Sequence, residues 1–442
     1  MTGRRCPQNQ TALADQFRSA LALPVPEGSP IGVAVSGGGD SMALLALCLS
    51  SDLQVWVVTV NHGLRPEAAD EAAMVAQFCA ERDIAHDTLT LSGLTPGPGV
   101  AARARDARYT AISEWAHQRG VPVVLLGHTQ DDQAETVLMR LARGSGADGL
   151  AAMAPARDWN GLLWMRPLLE MTRADLRSWL TERAILWIDD PTNDDLTQDR
   201  VRMRRAMPGL AELGLTRERL AATARTMTRQ SAVLHDAGNA LAAKALRHGT
   251  LGEIYLDPAA LRAALPDTAL RVLADALLEV SSAHYRPRLD ALDQLLAALT
   301  ADGFSGATLS GCTLSPQQDR IAVCREPAAV PPVRVLVGRQ MWDTRWQIET
   351  TETADLWVAP LGKVGLQAAT AALRSMPTPP PIDWRAAPSA AKRAVPALFT
   401  QQRAAPATLI AVPSAGLFHS DAARSVTILP PKPGKVRHHE PE

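Results

Sequence analysis

The stretch VAVSGGGDSMALLAL, Val33 to Leu47, constrains the fold more than any other part of the chain. An apolar run of strand length (IGVAV, from Ile31) enters three consecutive glycines, and an apolar helical run leaves them. A strand passing through SGGGDS into a helix aims backbone N–H groups at whatever lies before the helix N-terminus. Glycines let a ligand approach the backbone closely, and the helix dipole favours an anion there. Ser36 and Ser41 add hydroxyl donors beside Gly37, Gly38 and Gly39, so the loop reads as a phosphate cradle. It contains neither GxxxxGK[ST] nor GxGxxG, which sets it apart from the Walker loop and the dinucleotide fingerprint. Asp40 is the odd member. A carboxylate beside phosphates repels them unless a cation lies between, so Asp40 is expected to be a Mg2+ ligand. The plainer alternative is a glycine-rich turn in which Asp40 caps the helix.

Around this loop, apolar strand-length runs alternate with helical patterns from about Pro30 to about Pro208. LQVWVVTV and VPVVLL join IGVAV as strands, and Glu67 to Asp83 and Val100 to Arg119 read as helices. Such alternation predicts an α/β domain with a parallel sheet covered by helices on both faces. From Leu210 to Arg325 the texture becomes helical, with strand-like pieces at GEIYLD and DRIAVCRE. EPAAVPPV, Glu326 to Val333, reads as a linker before a small mixed C-terminal region, and the tail PPKPGKVRHHEPE reads as disordered. The expected division is a catalytic domain over 20–208, a helix-rich domain over 209–326 and a small domain over 334–430. The formal net charge of 442 residues is -1, so nucleic-acid binding would rest on local patches. Five scattered cysteines without a CxxC argue against a zinc ribbon, a disulfide framework or a cysteine-held cluster. No signal-peptide core or membrane-length apolar run is present, and the expected location is cytoplasmic.

A second constellation is LLGHTQDDQAETVLMRLARGSGADGLAAM, Leu125 to Met153. A strand ends at Gly127 and a helix opens with Asp131, Asp132 and Glu135, spaced so that Glu135 shares a face with either Asp. The helix dipole alone accounts for one such acid, and poorly for three. SGGGDS after an apolar strand resembles the PP-loop of the N-type ATP pyrophosphatases. The second constellation is similar to the GHHxDDQxET…RxxRGSGxxGL signature of the tRNA(Ile)-lysidine synthetases. The resemblance continues through AARARDARY (Ala101 to Tyr109), RPLLEMTRADL (Arg166 to Leu176) and WIDDPTNDD (Trp187 to Asp195), over most of residues 30–208. Two positions depart from the pattern: Thr129 stands for the second His of GHH, and Val201 for the Asn of RNxIR.

The resemblance implies an enzyme that uses ATP to adenylate the C2 oxygen of the wobble cytidine in the isoleucine tRNA with a CAU anticodon. The ε-amine of free L-lysine then displaces AMP to give lysidine, and codon reading moves from AUG to AUA. It implies ATP as substrate, Mg2+, tRNA(Ile) and lysine as partners, and no obligate protein partner. A lysine amine, with a pKa of about 10.4, arrives charged and must lose a proton, for which carboxylates are suited. Asp132 and Glu135 are the candidates to hold the ammonium and accept the proton, with Asp131 in support. ATP is expected to meet Ser36, Gly37, Gly38, Gly39, Asp40, Ser41, His62 and Arg105. Arg105 and Arg108 suit phosphates or the lysine carboxylate, and His62 lies past the second strand, where parallel sheets bind ligands. Trp159 and Trp164 read as packing. Arg200, Arg202, Arg204 and Arg205 are the expected tRNA contacts. The alternative activity is a PP-loop tRNA cytidine thiolase.

Overall fold

The computed structural model describes residues 8–21, 28–63, 67–91, 97, 100–159, 161–189, 198–283, 285–330, 332–335, 338–350, 357–375, 386–399, 409–411 and 426–429. Most of WIDDPTNDD, the Pro cluster at 376–384 and the C-terminal tail lie outside them. The chain forms two compact units, Met1–Ser231 and Ala232–Pro441.

The first unit opens with α1 (Gln8–Ala20) and then builds a six-stranded sheet. Its strands are β1 (Ile31–Ala34), β2 (Val55–Asn61), β3 (Ala85–Thr90), β4 (Val123–Leu126), β5 (Ala156–Trp159) and β6 (Leu162–Met165), in spatial order β3-β2-β1-β4-β6-β5. All pairings are parallel except the edge hairpin β5–β6. The helices between are α2 (Gly39–Leu49), α3 (Glu67–Ala80), α4 (Val100–Arg119), α5 (Gln130–Ala142), α6 (Ala147–Leu150) and α7 (Arg173–Glu182). Successive side chains of a strand face opposite ways. Thus Ile31 and Val33 of β1 enter a core with α2, α7 and Phe17. Ala34 faces another with Ile112, Trp115 and Trp164. Both faces are therefore covered, as the sequence pattern predicted, and α2 is apolar all round because it is buried from Met42 to Cys48. The chain moves from β1 out to β2 and β3, then returns to the other side of β1 as β4. The reversal makes a topological switch point between β1 and β4, with its crevice at their carboxyl ends. Two longer helices, α8 (Asp199–Glu212) and α9 (Arg217–Ala245), pack Met207, Leu220 and Ala224 against Ala134, Val137 and Leu138 of α5.

Among its described residues the second unit holds three antiparallel sheets. The first contains β7 (Leu246–His248), β8 (Ile254–Leu256), β9 (Ala307–Leu309), β10 (Cys312–Gln317) and β11 (Arg320–Arg325), beside α10 (Pro258–Ala263), α11 (Pro266–Ser281) and α12 (Leu289–Thr300). The others combine β12 (Val333–Arg334), β15 (Trp357–Pro360), β16 (Pro396–Phe399) and β17 (Leu409–Ala411), and β13 (Gly338–Trp342), β14 (Trp346–Thr350) and β18 (Val426–Leu429), with α13 (Gly362–Ser375) and α14 (Ser389–Ala394) alongside. In the segment read as a linker, Ala328, Ala329, Pro332 and Val333 are exposed. Val330 is buried in a core that joins Leu251, Ala322 and Cys324 to Trp342, Trp346 and Val358.

Candidate active site

The glycine loop sits at the end of β1, at the switch point. Gly37 has φ 88°, a left-handed conformation that a side chain resists. The turn is closed by three contacts: the Ser36 N–H donates to Ser41 Oγ at 3.2 Å, the Ser41 hydroxyl donates to Gly38 O at 2.9 Å, and the Ile188 N–H donates to Gly37 O at 2.9 Å. Asp40 lies in the first turn of α2 rather than at its N-cap, which is Gly38. Gly127, just past β4, comes so close that a Cβ there would lie 3.1 Å from the backbone of Asp40 and Ser41. The glycine of the second motif thus brings the acid helix α5 up to the glycine-loop turn.

Thr129 caps α5. Its backbone N–H and its hydroxyl both donate to Asp132 Oδ2, each at 2.8 Å, in a reciprocal capping box. This gives Thr129 a role where the family pattern has histidine. Asp132 is fixed by the cap with Oδ1 turned toward the other acids. One guanidinium joins them: Arg173 Nε donates to Asp40 Oδ2 at 2.9 Å, Nη2 donates to Asp132 Oδ1 at 3.2 Å, and Nη1 lies 3.7 Å from Glu135 Oε1. Glu135, only 2% exposed, also meets Arg204 Nε at 2.8 Å and Arg200 Nε at 3.6 Å. Asp131 accepts from the Arg173 backbone N–H at 2.9 Å and pairs with Arg217 Nε at 2.8 Å.

The charges respond to these surroundings. Burial pushes the Asp40 carboxyl above its ordinary range, opposed by Arg173. Burial likewise raises Glu135 against the pull of Arg204. For Asp132, burial works the same way but loses to Arg173, Arg200 and the Thr129 hydrogen bond, and its pKa falls. Burial, with Arg166 beside it, lowers His128 to about 3, so its imidazole is neutral. Asp40 Oδ1 is buried with no hydrogen-bond partner among the described residues. One free hard oxygen suits Mg2+, which takes one or two carboxylates and completes its shell with phosphate and water. No group of three or more His, Cys, Asp or Glu side chains that could hold a metal occurs among the described residues, so a cage built wholly from protein is not seen.

A cavity of about 230 Å³ opens between the ends of β2 and β4 and helix α4, lined by Val60, His62, Arg105, Arg108, Tyr109 and His128, among others. His62, Arg105 and Arg108 therefore converge, and His128 links their cavity to Asp132. Trp159 meets Tyr109 edge-on and Trp164 meets it at a tilt, with ring centroids 5.8 and 4.7 Å away. Arg200 and Arg204 face the acids, whereas Arg202 and Arg205 are exposed, with Arg202 paired to Asp199. Val201, the second departure, is buried. Sequence reasoning missed Arg173 and His128 as members of this site, although both stand inside quoted motifs. It also missed two structural roles. Gln133 exchanges two 2.8 Å hydrogen bonds with the Met153 backbone, and Arg140 donates to the carbonyls of Gly149 and Ala152.

Residues 9–210 match the family model described as a PP-loop domain, so fold and loop together define a PP-loop ATP-binding enzyme. Curated relatives narrow the class. The tRNA(Ile)-lysidine synthase of Ruegeria pomeroyi is 39% identical over 393 residues, covering 88% of this chain and 89% of that protein. Those of Mesorhizobium japonicum and of a Methylobacterium species are 38% and 41% identical, covering 74% and 67% of this chain and 74% and 88% of theirs. The chain belongs to the tRNA(Ile)-lysidine synthase family.

Proposed function

We propose that the protein joins free L-lysine to the wobble cytidine of the CAU-anticodon tRNA(Ile) through an adenylated tRNA. The C2 oxygen of the base attacks the α-phosphate of ATP, and pyrophosphate leaves. The lysine ε-amine, once deprotonated, attacks C2, and the C2–O bond breaks as AMP departs. Ser36 to Ser41 hold the phosphates through backbone N–H and hydroxyl groups. Mg2+ on Asp40 would neutralise triphosphate charge. Asp132, kept ionised by its arginines and its cap, holds the ammonium, and Glu135 takes its proton, because burial already favours its neutral form. The observation that supports this most is the single guanidinium of Arg173, which touches Asp40, Asp132 and Glu135 together. A cationic group suits the space beside the phosphate cradle, and the lysine ammonium is such a group.

Arg202 and Arg205, exposed on α8, and segments 209–326 and 334–430 are proposed to hold the tRNA, in a cytoplasmic enzyme without an obligate protein partner. Among the described residues no helix is long and apolar enough to cross a membrane. The thiolase alternative draws no support from the described cysteines: Cys48, Cys79, Cys312 and Cys324 are all buried. ATP turnover with the tRNA, with and without lysine, tests the reading. Turnover beyond one equivalent should need lysine, and sustained turnover without it would overturn the assignment.

A further inference from the structure

Arg173 stands apart because its one guanidinium lies against Asp40, Asp132 and Glu135. Four carboxylates (Asp40, Asp131, Asp132 and Glu135) meet four guanidiniums (Arg173, Arg200, Arg204 and Arg217), so each acid of the cluster already has a cationic partner. The Arg173 backbone is anchored. It is the first residue of α7, after the Thr172 cap, and its N–H is held by Asp131. Its side chain, in contrast, is a long stem that can turn without moving the helix.

We propose that Arg173 is a positioning residue that gathers Asp40, Asp132 and Glu135 in the ligand-free enzyme and keeps Asp40 closed to bare divalent ions until a triphosphate arrives. The proposal rests on the reading of Asp40 as the Mg2+ ligand. A bare divalent ion brings two positive charges in beside the guanidinium and must break the bond from Arg173 Nε to Asp40. A triphosphate brings its own negative charge and offers the guanidinium a bidentate partner, so the carboxylate is released as the metal enters. Metal binding is thereby coupled to nucleotide binding through one side chain.

The test is Mn2+ binding to the full chain, read from the loss of the free-ion electron paramagnetic resonance signal, without tRNA or lysine. In the absence of nucleotide, Arg173→Met should bind Mn2+ roughly tenfold or more tightly than wild type, the scale of one charge-assisted hydrogen bond. Adding Asp40→Asn to that variant should cancel the gain. Arg173→Lys, which keeps the charge but loses the fork, should gain less. Equal or weaker Mn2+ binding in Arg173→Met overturns the proposal. Should that variant not fold, unchanged affinity in Arg173→Lys overturns it as well. A wild-type enzyme that attaches lysine to tRNA while Arg173→Met shows no gain refutes this device alone. A gain in Mn2+ affinity with no lysine attachment by wild type refutes the proposed reaction alone.

Discussion

Asp40 has one oxygen bonded to Arg173 and one that is buried and unpartnered. An amide in its place would keep the shape and lose the anionic donor. Asp40→Asn should therefore leave the thermal unfolding transition near wild type and abolish pyrophosphate release in the presence of tRNA, ATP and Mg2+. Release at near wild-type rate would refute the metal role. Glu135 provides a test of electrostatics instead. Burial raises its carboxyl pKa in the folded protein, so the unfolded chain ionises first as pH rises. The stability tied to this group is complete below the unfolded pKa and is lost as pH climbs through the folded one. Glu135→Gln lacks that loss. The stability difference, variant minus wild type, should thus grow as pH rises above the unfolded pKa, about 4, and level off once pH has passed the raised folded one. Melting curves across that interval check it, and a difference that shrinks with pH would contradict it. Lysine transfer should suffer independently, with a lowered kcat for the lysine step while tRNA adenylation stays measurable.

The site depends on two strand-to-helix turns held against each other, β1 into α2 and β4 into α5. Gly127 is their point of contact. A methyl group there lies 3.1 Å from backbone atoms of Asp40 and Ser41 that cannot rotate away. Gly127→Ala should cost about 1–3 kcal/mol and weaken ATP binding, measured by denaturant unfolding and by calorimetric titration. Unchanged values in both would show that the contact is slack. These turns were legible in the sequence, because β1 and β4 are buried on both faces and read as unbroken apolar runs. The edge strand β3, AHDTLT, was not, since its exposed and half-buried residues carry no apolar run. Nor was the role of Arg173 legible: it bonds to a carboxylate 133 residues away, a pairing created only by the parallel crossovers. Arg200 and Arg204 were singled out as arginines, but only the packing of α8 on α5 turns them toward Glu135.

At the scale of the molecule, the second unit has a core that crosses the expected boundary near residue 326. Ala322 and Cys324 share it with Trp342 and Trp346. Asp343 seals the junction by accepting from Arg325 and Arg345, and all three side chains are at most 10% exposed. Its backbone is left-handed, φ 49°, which Asn tolerates, so Asp343→Asn isolates the charge. Leaving two buried guanidiniums without their carboxylate should cost about 3–5 kcal/mol, read from urea unfolding. A loss below about 1 kcal/mol would place the pair energetically at the surface. Truncation after Arg325 would open this core, so weaker tRNA binding in such a protein would not by itself assign the region to tRNA. The most direct test of the central claim uses the intact chain with CAU-anticodon tRNA(Ile), ATP, Mg2+ and isotopically labelled lysine, followed by mass analysis of the wobble nucleoside. The predicted result is a cytidine carrying one labelled lysine, with one AMP and one pyrophosphate formed per nucleoside modified. An unmodified cytidine, or one that has gained sulfur instead of lysine, would contradict it.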